Sequence, residues 1–158
     1  MPEVAEFLQD AERVLAVREA AGGLPALAVR VADEHADRAR TWRDQARQGL
    51  GRDFVLLDPL RRNFKDREVD SANEIVEFDL QDVREADIVI VNYSKTSIGT
   101  AMEVFYAAHD LGKFVVAFSP FDFKDCSPWM VRYCTKILPS LDEAIAYIRE
   151  NFITQHID

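Results

Sequence analysis

At 158 residues, with 48% hydrophobic and 30% charged side chains, the chain has the composition of an ordinary soluble globular protein and the length of one domain around one core. A net charge of −9 argues against a nucleic-acid backbone or an anionic membrane as the main partner, because both are polyanions, while leaving room for a small nucleotide at a local anion site. No signal peptide is visible and no apolar stretch approaches the length of a membrane span, so a cytoplasmic location is expected.

Residues 3–21 read as an amphipathic helix, with Val4, Phe7, Leu8, Ala11, Val14 and Leu15 at helical spacing. The run Ala20 to Pro25 breaks it, so residues 1–25 are expected to form an extra helix ahead of the main domain. Leu27 to Val31 is the candidate first strand, followed by a helix from about Asp37 to Leu50 and a second strand at Phe54–Leu57, closed by Asp58-Pro59. Arg61 and Arg62 then follow, as guanidinium groups suited to a phosphate or as solvated loop residues. Ser71 to Glu74 matches a capping box that would open a helix reaching Arg84, with Ile75, Phe78, Leu80 and Val83 as its apolar contacts.

The chemistry is expected at residues 86–118. Ile88 to Val91 is an unbroken β-branched run, suited to a central parallel strand covered on both faces and ending near Asn92. After the polar stretch 93–99, Ala101, Val104, Phe105, Ala108 and Leu111 recur at helical spacing as a buried stripe, and Gly112 stops that helix before the strand Phe114–Phe118. In such βαβ sheets ligands sit outside the carboxyl ends of the strands, here the loop 92–100. Thr96 and Ser97 are hydroxyls at the expected N-cap, Gly99 permits close approach of a ligand to the backbone, and the first-turn amides form an anion site. Glu103 lies about a turn further on, where the helix dipole favours its ionised form, as befits a nucleophile or base. The competing reading is an ordinary solvated helix residue, although Gly99, Thr100, Tyr106 and Ala107 offer it no basic partner one turn away.

Beyond this unit, Ser127-Pro128 is a sound helix start, Thr135–Leu138 reads as a fifth strand, and Ser140 to Glu143 opens a last helix with Leu141, Ala144, Ile145, Ile148 and Phe152 inward. Cys126 and Cys134 fit neither a zinc motif nor a disulfide framework, and His35, His109 and His156 are scattered, so no metal site is expected. The fold expected is a three-layer α/β sandwich on a five-stranded parallel sheet, flavodoxin- or Rossmann-like.

The AD-plus-strand at 86–91, SIGTAME at 97–103, the following YA, and GK before the next strand together resemble the nucleoside 2-deoxyribosyltransferase family, which includes related nucleotide N-glycosidases. The resemblance covers residues 53–148, supported by DPLRR at 58–62 and SPW at 127–129, and less securely 26–50. It implies retaining cleavage of an N-glycosidic bond with Glu103 as nucleophile, and a partner carboxylate at Asp79, eight residues before Asp87. Asn92, Ser97, Gly99, Thr100 and Ser127 become the expected substrate contacts, Ser127 across a homodimer or higher homo-oligomer interface.

Family members acting on free nucleosides tend to carry an acidic residue six before the nucleophile, whereas monophosphate hydrolases tend to carry serine, as Ser97 is here. The resemblance therefore favours a (deoxy)nucleoside 5′-monophosphate hydrolase over a base-exchanging transferase. One feature departs from the family, which usually has a glycine turn after the first strand: Val29 to Glu34 contains no glycine. A catalytically silent nucleotide-binding or scaffolding protein is the reading of a different class that this departure leaves open.

Overall fold

Alternation of side chains across the sheet explains the layering. The computed structural model describes residues 14–20, 24–27, 36–57, 62, 64 and 69–153. Its elements in chain order are β1 (Val14–Ala20), β2 (Leu24–Leu27), α1 (Ala36–Leu50), β3 (Val55–Leu57), α2 (Ala72–Glu85), β4 (Ile88–Asn92), α3 (Ile98–Phe105), β5 (Phe114–Phe118), α4 (Pro128–Tyr133), β6 (Lys136–Leu138) and α5 (Leu141–Ile148). Ile88, Ile90 and Val116 pack to one side, against Trp42, Ala46 and Leu50 of α1 and Leu141, Ala144, Ile145 and Ile148 of α5. Val89, Val91, Val115 and Ala117 pack to the other, against Val83 of α2, Val104 and Ala107 of α3 and Met130 of α4. A strand covered on both faces has no use for polar residues, which is why β4 reads as an unbroken apolar run.

The expected five-stranded, all-parallel sheet is corrected to a mixed one of six strands in the order β2-β3-β1-β4-β5-β6. β4, β5 and β6 form a parallel block, Ile88 facing Phe114 and Val116 facing Lys136. β1 runs antiparallel to β4 on one side and to β3 and β2 on the other, and β2 and β3 are parallel to each other. All strands except β1 thus point the same way, and their carboxyl ends share one edge.

The helix expected over 3–21 is likewise corrected where it is described: residues 14–20 are strand and pair with 88–91. Val14-Leu15-Ala16-Val17 is a short apolar run, and such a run satisfies a strand as readily as one stripe of a helix, so pairing decides. Residues 1–13 and 28–35 lie outside the described residues, and with them most of the expected first strand and the turn after it.

Helix ends follow local chemistry with one exception. Ser140 caps α5 by accepting from the Glu143 N–H at 3.2 Å, and its hydroxyl donates to the Glu143 carboxylate at 3.3 Å. Ser71, by contrast, makes no side-chain cap hydrogen bond: at φ −106°, ψ 14° it lies outside the extended conformation an N-cap needs, so the predicted capping box does not form. Gly112 ends α3 in the left-handed region, at φ +61°. The Cβ of an alanine there would meet nothing within 4 Å, so Gly112→Ala should cost about 1 kcal/mol through backbone strain alone, measurable by urea titration with an unchanged m-value. Between Phe105 and that glycine, residues 106–110 widen into a π-helical turn.

Candidate active site

The carboxyl edge gathers the loops after β4 and β5, beside the end of β3. β4 ends at the half-buried Asn92, opposite Phe118, and Ser94, Lys95 and Thr96 are exposed as the chain turns into α3. Ser97 is the N-cap, in extended conformation, its buried hydroxyl oxygen accepting from the Thr100 N–H at 3.2 Å. A helix start leaves its first amides without carbonyl acceptors inside the helix, and the positive end of its dipole adds to the attraction for an anion.

The buried face of α3 is Thr100, Glu103, Val104 and Ala107, a stripe at i, i+3, i+4 and i+7. It corrects the predicted apolar stripe: Ala101 is exposed, and Phe105, Ala108 and Leu111 are only partly buried. Counting apolar letters misplaced the face because two of the four inward residues are polar. Glu103, 5% exposed, is therefore no solvated helix residue. Asp79, 6% exposed, lies within α2, which packs beside α3 on the same face of the sheet. It is not the surface carboxylate that a pairing with Arg84 would make it. Arg84 pairs with Glu77 and donates to the Tyr106 hydroxyl at 3.4 Å, and these contacts raise its pKa, the Tyr106 bond first.

Ser127 stands on the same edge. Its hydroxyl oxygen caps α4 by accepting from the Trp129 N–H at 3.3 Å, and its own N–H donates to the Tyr93 hydroxyl at 3.1 Å. Tyr93, buried directly after Asn92, also donates its N–H to Phe118 O at 2.9 Å and meets the Phe121 ring edge-on at 5.6 Å. One side chain thereby ties the loop after β5 to the loop after β4. Sequence reasoning missed Tyr93; its one signal is an aromatic hydroxyl at the carboxyl end of a buried strand.

Arg62 is not directed to a ligand as the sequence allowed. It grips the buried Asp82 of α2 with two parallel bonds, at 2.6 and 2.9 Å, and lies over the Phe78 ring at 4.6 Å. Asp82→Asn should lower stability by about 2 kcal/mol, because the guanidinium keeps its burial and loses its counter-charge; thermal unfolding at low and high salt would read this. Arg61 lies outside the described residues.

Neither cysteine is an activated nucleophile. Burial pushes the Cys126 thiol up, and burial with the neighbouring Cys126 pushes Cys134 up to about 12. Both are free thiols. Among the described residues no group of three His, Cys, Asp or Glu side chains could hold a metal, and no helix is long and apolar enough to cross a membrane.

These features define a class: an α/β sandwich of Rossmann-like layering, with a buried glutamate behind a serine-capped helix start at the carboxyl edge of its sheet. The chain belongs to the nucleoside 2-deoxyribosyltransferase family, whose model matches residues 30–134. The match spans every candidate residue, from Asp79 through Glu103 to Ser127, and it identifies an enzyme family of nucleoside deoxyribosyl transfer and related glycosidase activity. A search of curated proteins gives no match.

Proposed function

We propose that the protein hydrolyses the N-glycosidic bond of a (deoxy)nucleoside 5′-monophosphate through a glycosyl-enzyme on Glu103. The observation that carries this reading is the burial of Glu103 within α3, one turn beyond a helix start capped by an uncharged serine. In the proposed reaction a Glu103 carboxylate oxygen attacks C1′ as the C1′–N bond breaks, and the bonding pair leaves with the base. The base takes a proton from the Asp79 carboxyl or from solvent. Water then attacks C1′ of the glycosyl ester and gives its proton to the Asp79 carboxylate or to solvent, releasing the sugar phosphate and restoring the Glu103 carboxylate, so that one water is consumed and configuration is retained.

The phosphate would sit on the amides of the first turn of α3, with Ser97, Gly99 and Thr100 around it, while Asn92 completes the polar wall from the end of β4. Ser127 would act in a homodimer or higher homo-oligomer as a contact to the neighbouring site. No step requires a metal or organic cofactor.

Base exchange in place of hydrolysis differs only in the acceptor that resolves the glycosyl ester. A non-catalytic nucleotide-binding role is favoured by a single observation, the absence of glycine from residues 29–34. Chromatography of base release from ribo- and deoxyribonucleoside 5′-monophosphates and the matching nucleosides, with and without a free acceptor base, separates the three. Release from monophosphates in water supports the hydrolase, exchange only with an acceptor supports the transferase, and binding without turnover supports the silent protein.

A further inference from the structure

A cavity of about 430 Å³ opens at the opposite edge of the sheet, where α3 and α4 end and β5 and β6 begin. Its walls include His109, Lys113, Phe114, Arg132, Tyr133 and Thr135. The volume lies within the range of small-molecule pockets, roughly 300–1,000 Å³. Along α3 it is roughly 16 Å from Ser97, at the usual rise of a helix. The cavity is therefore separate from the candidate active site.

Local backbone bonding builds the walls. The Leu111 N–H donates to Tyr106 O at 3.2 Å and the Lys113 N–H to Ala107 O at 2.8 Å, turning the chain at Gly112 and bringing Lys113 to the rim. The Thr135 N–H donates to Val115 O at 2.7 Å while its hydroxyl oxygen accepts from the Val115 N–H at 3.0 Å, which fixes the floor between β5 and β6.

Charge selects the ligand. Lys113 and Arg132 form no ion pair among the described residues, whereas the Asp110 carboxylate lies 2.7 Å from His109 Nδ1. Lys113 and Arg132 are the fully charged side chains of the lining, and both are cationic. An unpaired cationic pair stands out on a chain whose net charge is −9. Phe114, 48% exposed, and Tyr133, with the Arg132 guanidinium 5.2 Å from its ring centroid, supply apolar surface beside the cations. An ammonium and a guanidinium together suit phosphate better than carboxylate, because a guanidinium fork can meet two of its oxygens.

We propose that this cavity binds a small aromatic or heteroaromatic phosphate monoester as a second ligand, distinct from the substrate at the carboxyl edge. The inference is independent of whether Glu103 cleaves a glycosidic bond. Phenyl phosphate is the probe, because it carries a ring and a phosphate and has no N-glycosidic bond. Titrated into the ¹⁵N-labelled full chain at low salt, it should shift the amides of 112–114 and 132–135 along one saturable curve, whatever happens at 97–103. Lys113→Glu with Arg132→Glu should weaken that curve at least about tenfold, and Arg132→Gln alone, on an exposed side chain, by about threefold. Shifts confined to 97–103, no shifts up to about 10 mM probe, or affinities within about twofold for Arg132→Gln and the double variant would each overturn the proposal.

Discussion

Glu103→Ala should lower base release from a nucleoside monophosphate by about 10⁴-fold or more, with nucleotide binding and folding retained. A nucleophile that forms the covalent intermediate has no substitute within the protein, so the loss falls on kcat rather than KM. Glu103→Gln keeps the volume of the side chain, removes the charge and exchanges one acceptor oxygen for an amide donor. Since the carboxylate is buried, that variant is relieved of the cost of desolvating an anion and should melt at the same or a higher temperature. Inactivity combined with retained or raised stability is the signature of a catalytic carboxylate. Activity near that of the unaltered chain would remove Glu103 from the mechanism, and inactivity with a collapsed melting temperature would assign it a structural role.

The second large effect concerns the choice of substrate. Ser97→Asp should shift the ratio of activity on monophosphates to activity on free nucleosides by about a thousandfold towards the nucleosides, since setting like charges together costs several kcal/mol. The substitution is a clean probe because aspartate is as good an N-cap as serine: the bond now made by the Ser97 hydroxyl oxygen to the Thr100 N–H can be kept by a carboxylate oxygen. Helix stability then stays level while the proposed phosphate site acquires a negative charge. Measured kcat/KM values for one nucleotide and its nucleoside decide the matter, and an unchanged ratio would place the phosphate elsewhere.

The β4–α3–β5 unit was legible because each piece carries its own signal. A β-branched run buried on both faces, a serine before a helix and a glycine after it need no tertiary information. The α3 face was not legible in the same way. Thr100 and Glu103 are buried, and a reading that scores apolar residues places polar ones outside, so a polar residue held inside is the case such a reading gets wrong. The strand at 14–20 was hidden for a different reason: it pairs with 24–27 on one side and with 88–91, far along the chain, on the other, and a short apolar run fits a helical stripe until those partners are known. Arg62 and Ser71 show a third kind of loss. Asp82 is twenty residues from Arg62, and the capping letters at 71–74 are present without the backbone angles that would use them. Family membership was readable from SIGTAME and its flanks, because a motif gathers in one stretch what the fold gathers in space.

The widened turn at 106–110 bears on descent as well as on shape. A π-helical turn is what a regular α-helix becomes when one residue is inserted without displacing either end. Here the insertion falls after the second inward residue past Thr100, so the spacing from Ser97 to Glu103 is untouched while everything from Leu111 onward is re-phased. Relatives with an unbroken α-helix between their glutamate and the following glycine should therefore align with a one-residue gap inside 106–110. Deleting Ala108 from this chain should return the turn to a regular α-helical one, rotating the far end of the helix and leaving the glutamate end where it stands.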